Sequence, residues 1–258
     1  MTSVILGAIE RRKRTNLQGF QVYLASLRWH NPDVPMVLFS RSQDDPDLDV
    51  LSQRYAVTTI DALAFDRTHQ IPAVEIEIAR FLQYRAWLAD HPTDQVILTD
   101  VLDVLFQQDP VAQLPSEGMT VYQERQIIGH CPYNRKWVRE AWPASFTRFL
   151  DQIVVCCGVI AGSGETILTY LDWYAAEYAS RHGVRRGFDS AVLTGYVYDG
   201  HGVGVTAYLN PECMHLGYAA AGSVTYGGVV RCEDLAPAIV HQYNRHPEVA
   251  EGLYTRWT

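Results

Sequence analysis

Apolar positions along the first hundred residues alternate between two rhythms, short continuous runs and spacings of three or four. Val4 to Ile9 is a buried-strand run. Thr15-Asn16-Leu17-Gln18 has capping-box spacing and opens a helix expected to reach about Trp29. Val34 to Ser40 predicts a second strand. Asp44-Asp45-Pro46 reads as an N-cap with proline in the first turn of a helix ending near Tyr55. Ala56 to Ile60 predicts a short third strand. A longer helix follows, from about Ala73 to His91, with Val74, Ile78, Phe81, Leu82 and Leu88 as its apolar stripe. Arg80 and Tyr84 lie one turn apart on a neighbouring face. Gln95 to Leu98 then reads as a central buried strand that ends directly in Thr99-Asp100-Val101-Leu102-Asp103.

This order predicts an α/β fold: a doubly wound, mostly parallel sheet flanked by helices. The second half is less regular and suggests a smaller antiparallel part. Met119 to Gln123 predicts a strand, and Asn134 to Asp151 is aromatic-rich and helical in part. Ile153 to Ala161 is a strand pair or one long strand. Ser163, in the turn that follows, can cap a helix to about Arg181. Phe188 to Tyr198 reads as a shorter helix, and Val203 to Leu209 and Gly228 to Arg231 as strands. No linker or internal repeat interrupts the chain. A single domain over 1–258 is expected, with 1–110 the nucleotide-binding half and 111–258 the acceptor side.

The 258 residues suffice for a substantial core. The net charge of -8 disfavours nucleic acid, whose phosphates need clustered cations. Lys13 and Lys136 are the only lysines, so almost every cation is the planar fork of arginine. Five cysteines without a CxxC motif suit reduced thiols in a cytoplasmic protein. The N-terminus reads as a strand rather than a signal peptide. No run approaches the ~18 apolar residues of a transmembrane segment.

In a doubly wound sheet, ligands bind beyond the carboxyl ends of the strands. Asp100 and Asp103 sit at such an end, three residues apart, and could converge on one hard divalent cation. An acid pair inside an apolar stretch must be paired or hold a metal if it is buried. The terminal run Val240-His241-Gln242-Tyr243-Asn244-Arg245-His246-Pro247 could add a metal ligand and a phosphate contact. Cys156-Cys157-Gly158-Val159-Ile160-Ala161-Gly162 offers small residues against which a ligand or a helix can pack. Gly187-Phe188-Asp189-Ser190 places an acid at a helix start, where an N-cap is the plainer role.

Taken in order, these pieces resemble a nucleotide-sugar-dependent glycosyltransferase of the GT-A type. The Asp-x-x-Asp-Val-x-Phe-Gln run and the His-Gln-Tyr-x-Arg run are the specific parts of the resemblance. It implies a metal site for Mn²⁺ or Mg²⁺ made by Asp100, Asp103 and His241. It also implies donor contacts from Gly7, Ala8, Ile9, Arg80, Tyr84, Asp100, Gly158 and Arg245. The donor would be a nucleoside-diphosphate sugar, UDP-sugar first among them, and the acceptor a glycan or small molecule. Asp189 and Glu124 are the candidate catalytic carboxylates, and one acceptor wall is expected within Gln126 to Trp142. The usual motif is Asp-x-Asp; the extra residue here leaves Asp103 to bind the cation directly, through water, or to bind the ribose instead. The histidine-completed site leans toward retention of configuration. The rival readings are a two-carboxylate glycoside hydrolase, a nucleotidyltransferase, and a non-catalytic nucleotide- or carbohydrate-binding module.

Overall fold

The computed structural model describes residues 2–11, 17–42, 45–112, 117–181, 185–202, 204–208, 213–215, 223–226, 229–232 and 236–258. In chain order the elements are β1 (Ser3–Ile9), α1 (Gln18–His30), β2 (Met36–Ser40), α2 (Pro46–Arg54), β3 (Thr58–Asp61), α3 (Ala62–Thr68) and α4 (Ile76–Asp90). β4 (Gln95–Thr99), β5 (Val104–Phe106), β6 (Met119–Ile127), α5 (Pro132–Ala141), β7 (Ile153–Ser163), α6 (Gly164–Ala179) and α7 (Phe188–Tyr198) follow. The C-terminal part holds β8 (Val205–Tyr208), β9 (Cys213–His215), β10 (Ser223–Tyr226), β11 (Val229–Cys232), β12 (Ile239–His241) and α8 (Pro247–Trp257).

Seven strands form the main sheet in the order β3-β2-β1-β4-β7-β6-β8. β1 pairs in parallel with β2 and β4, β2 with β3, and β6 with β8; only β7 runs against its neighbours. Alternate side chains leave a strand on opposite faces. Val4, Leu6, Val96 and Leu98 therefore pack under α4, α6 and α7, with Phe81, Tyr170, Tyr174 and Val192. Ile5, Ile97, Met36 and Leu38 face the other way, toward Phe20, Tyr23, Leu24 and Leu27 of α1. Helices thus cover both faces, as the alternating pattern requires.

A second, three-stranded sheet, β5-β12-β9, joins the acidic segment to the C-terminal run. β12 pairs antiparallel with β5, setting His241 opposite Val104. α8 closes over this sheet through Val249, Ala250 and Leu253, which meet Leu105, Val240, Tyr243 and Val22.

Several expected elements shift. The third strand starts at Thr58 rather than Ala56, because Ala56 turns the chain at φ 50. Ile153 to Ala161 is one long strand that continues to Ser163. The strand expected at Val203 to Leu209 is β8 within the main sheet, parallel to β6, rather than in a separate antiparallel part. The antiparallel pair is β10 with β11. The aromatic-rich segment divides into α5 and a short 3-10 turn at Phe146–Phe149. Thr15, Asn16, Asp44, Val203, Leu209 and Gly228 lie outside the described residues. The capping of α2 rests on Asp45, whose carboxylate accepts from the Asp47 and Leu48 N–H groups.

Candidate active site

The acidic segment leaves β4 at the carboxyl end of the sheet. Asp100 follows directly and is tied down by its own backbone, its N–H donating to the Gly158 carbonyl at 2.7 Å. Asp103 ends the bend before β5, and its carbonyl accepts from the Gln242 N–H at 2.8 Å. β12 delivers His241 from 138 positions later in the chain, fully buried. Its Nε2 lies 3.2 Å from Asp100 Oδ2 and 3.3 Å from Asp103 Oδ1. Its Nδ1 faces Cys156 Sγ at 3.5 Å. One ligand atom from each of Asp100, Asp103 and His241 falls within 4.8 Å of the others.

A glycine makes this packing possible. A Cβ on Gly158 would stand 2.0 Å from His241 Cε1 and 2.6 Å from its Nε2. The small residue noted in the strand motif therefore admits the imidazole, and Gly158 also lines the cavity beside it.

Arg80 reaches the cluster from α4. Its guanidinium pairs with Asp100 and, at 3.3 Å, with Asp189 Oδ2. Asp189 opens α7 behind the αL residue Gly187 and is buried. Cys157 Sγ lies 3.2 Å from the same carboxylate. The charges answer one another. Burial works against ionisation of Asp100, but Arg80 and His241 outweigh it and hold the carboxyl well below its ordinary range. Burial also opposes charging of His241, yet Asp103, Cys156 and the hydrogen bonds to both carboxylates raise its pKa well above 6.5. Asp189 goes the other way: desolvation raises it more than Arg80 lowers it. Two half-buried carboxylates and one buried imidazole thus converge on one point, a set that could hold a divalent cation.

Two cavities meet at these residues. One, of about 200 Å³, is lined by Glu124, Trp137, Cys156, Gly158 and Asp189 together with Arg80, Asp100 and Arg245. The other, of about 360 Å³, runs past Ala8 and Ile9 at the end of β1 and past Leu102 and Asp103. Glu77, Arg80, Asp100, Arg186, Gln242 and Arg245 line both. The fold therefore gathers Ala8, Ile9, Arg80, Asp100, Asp103, Glu124, Gly158, Asp189, His241 and Arg245 around one connected space.

Two of the expected donor contacts lie elsewhere. Gly7 is covered by the acidic segment itself, since a Cβ there would meet Val101 Cγ1 at 2.4 Å. Tyr84 is a core residue packed against Phe39 and Phe81, and it lines neither cavity. One helical turn separates it from Arg80, and that turn is enough to carry it behind the guanidinium into the core. Sequence reasoning missed Glu77, Arg186 and Gln242. Only Gln242 carried a signal, its place inside the His-Gln-Tyr-x-Arg run, and it sits at φ 65 to turn the chain out of β12.

The whole architecture has solved counterparts. The chain superposes on mouse xyloside xylosyltransferase 1, apo form, with a TM-score of 0.60 at 15% identity, covering 93% of this chain and 97% of that one. An active-site mutant of LgtC gives a TM-score of 0.62 at 13% identity, over 99% and 96% of the two chains. The fold is that of the GT-A glycosyltransferases. The galactosyltransferase LgtC in complex with donor and acceptor sugar analogues aligns over the same 99% and 96%, with a TM-score of 0.56 at 12% identity. No family model and no curated protein matches the chain by sequence. The GT-A likeness spans both cavities, and no described helix is long and apolar enough to cross a membrane.

Proposed function

We propose that this protein is a metal-dependent glycosyltransferase that moves a sugar from a UDP-sugar to an acceptor hydroxyl. The observation that carries the reading is the convergence of Asp100, Asp103 and His241 where two cavities join, at the carboxyl end of a GT-A sheet. Residues 1–110 supply most of the donor cavity and 111–258 most of the acceptor cavity, within one functional unit. Ala8 and Ile9 border the base and ribose, and Arg80 orients Asp100 and Asp189 about the transferred sugar. Asp100, Asp103 and His241 would hold Mn²⁺ or Mg²⁺, which when bound supplies positive charge for the leaving diphosphate. Arg186 and Arg245 add positive charge to the same wall.

In the transfer, the acceptor oxygen bonds to the anomeric carbon as the bond to the diphosphate oxygen breaks, and the electron pair leaves on the diphosphate. Asp189 is engaged by Arg80 and Cys157. Glu124, which lines the cavity on the acceptor side, is the carboxylate we assign to take the hydroxyl proton in an inverting reaction. The free thiols of Cys131, Cys156 and Cys157 support a reducing, cytoplasmic setting.

A nucleotide-sugar panel tests the reading. UDP with Mn²⁺ is expected to raise the melting temperature, weakly without metal, and not at all in Asp100→Ala. At a hundredfold excess over Kd the stabilisation is about 2.7 kcal/mol. Absence of any shift with every nucleoside diphosphate plus metal refutes it.

A further inference from the structure

The smaller cavity has an aromatic side that the donor does not explain. α5 is held to the body of the protein by Asn134, Val138 and Ala141, the buried positions of that helix. Tyr133 precedes the first of these by a single position, about 100° around the helix, and lies off the docking stripe, whereas Trp137 sits at its edge and packs partly against the core beneath. They are four residues apart, one above the other, with ring centroids 6.0 Å apart and planes tilted by 38°. Both line the cavity that contains Asp189 and Glu124.

Tyr133 has no packing reason to be aromatic. It is 59% exposed, one of few large apolar side chains left in solvent among the described residues. Trp137, by contrast, is fixed. Gly187, in the left-handed region at φ 86, lets the indole lie against its backbone, where a Cβ would stand 2.2 Å from the ring. Polar groups complete the lining: Glu124, Gln126, Asn134 and Arg186. A rigid aromatic surface with donors and acceptors around it suits a ligand with one apolar face and a ring of hydroxyls.

We propose that Tyr133 and Trp137 form a stacking platform for a pyranose ring of a carbohydrate acceptor. The inference rests on the glycosyl-transfer reading and names the substrate class of its acceptor side. The apolar C–H face of the ring lies on the two aromatic rings, and its hydroxyls meet the polar lining, with one directed toward Asp189 and Glu124. An acceptor without a sugar ring gains nothing from this surface.

Saturation-transfer NMR on the full chain, with UDP and Mn²⁺ present, tests the platform with lactose, cellobiose and xylobiose, and with glycerol as a polyol lacking a ring. The expected result is strong saturation of the C–H protons on one ring face, and none for glycerol. Losing one stacked ring, worth about 1.4 kcal/mol, weakens sugar binding roughly tenfold in Tyr133→Ala or Trp137→Ala. Trp137→Phe restores most of it. Tyr133→Ala keeps the test open if Trp137→Ala fails to fold, because Tyr133 is mostly exposed. A sugar affinity unchanged in folded Tyr133→Ala protein, or glycerol binding as well as the disaccharides, overturns the platform. A thermal shift with UDP and Mn²⁺ but no sugar binding also overturns it and leaves the donor reading standing. Sugar binding that depends on both rings, without any UDP shift, upholds the platform and removes the donor reading instead.

Discussion

Gly158→Ala addresses the centre of the site with one added methyl group. The new Cβ would lie 2.0 Å from His241 Cε1, against an ordinary contact of 3.4 Å, a shortfall of about 1.4 Å. The strand cannot absorb it. The Gly158 carbonyl holds the Asp100 N–H, and the next residue, Val159, pairs with Thr99. Any retreat of the backbone therefore drags Asp100 along. The imidazole must move instead, and it is buried between Asp100, Asp103 and Cys156. Metal sites tolerate about ±0.2 Å in ligand distance, and a 1 Å misplacement near reacting groups costs roughly 100-fold. The variant is expected to lose about two orders of magnitude in donor hydrolysis and to bind Mn²⁺ far more weakly in the presence of UDP, read by the paramagnetic resonance of free Mn²⁺. Overpacking should also cost about 1–3 kcal/mol of stability. Gly162→Ala separates the two effects. It overpacks the same strand against the Gly118 carbonyl at 2.5 Å, in a different part of the fold, so it should lose stability while keeping Mn²⁺ affinity. A folded Gly158→Ala protein with wild-type Mn²⁺ affinity and turnover would falsify the role given to His241.

Further expectations follow from the same geometry. Arg80→Ala leaves the buried Asp189 and the half-buried Asp100 without their shared counter-charge and should destabilise the metal-free protein in urea unfolding, by up to about 3 kcal/mol. Mn²⁺ should restore part of that loss, and equal destabilisation with and without Mn²⁺ argues against a cation at Asp100. Gly195→Ala drives a Cβ to 2.4 Å from the Trp142 indole, itself stacked on Trp173 and covered by Arg181. The melting temperature should fall by several degrees with turnover retained; a matching loss of turnover would tie that cluster to the site. For pH, burial alone would raise the Asp45 pKa, but its hydrogen bonds from Arg11, Leu48 and Asp47 outweigh burial and leave it lowered. Its ionised form thus contributes stability above the unfolded carboxylate range, lost as pH falls through the depressed folded value. The urea midpoint of Asp45→Asn should trail the wild type at pH 7 and converge with it in acid; a constant gap across that range contradicts the ion pairing.

Much of the fold was legible because its strands are buried on both faces. Val4 to Ile9 and Val96 to Leu98 are continuous apolar runs, a pattern that parallel central strands produce and surface helices do not. The acidic cluster was legible for a related reason: carboxylates interrupting such a run have to be compensated. Asp100 pairs with Arg80 and with His241. What the sequence withheld depends on contacts between distant segments. β5 is three residues long and has no periodicity to read; it is a strand because it pairs with β12. α8 is helical against a sheet that does not exist until β12 is in place. The roles of Gly7 and Tyr84 turned on facing. Both belong to elements at the site, but Gly7 lies under Val101 and Tyr84 points into the core between Phe39 and Phe81. One residue of offset in a strand, or one turn in a helix, decides that, and no pattern of residue types records it.

The extra residue in Asp-x-x-Asp is absorbed by two of these close contacts. Three residues must carry the chain from the end of β4 to Asp103 and still return its carboxylate to the same point as that of Asp100. They do so as a tight bend pressed onto the body of the protein. Val101 is buried against Gly7, and the Leu102 carbonyl stands where a Cβ on Gly19 would come within 1.9 Å. Neither contact leaves room for a side chain on the glycine. The bend is then pinned at both ends, Asp100 through Gly158 and Asp103 through Gln242. The spacing that looked like a departure in the sequence is therefore compensated at Gly7 and Gly19, far from it in the chain. Gly7 supports the site from beneath by letting the acidic bend sink far enough for both carboxylates to face His241.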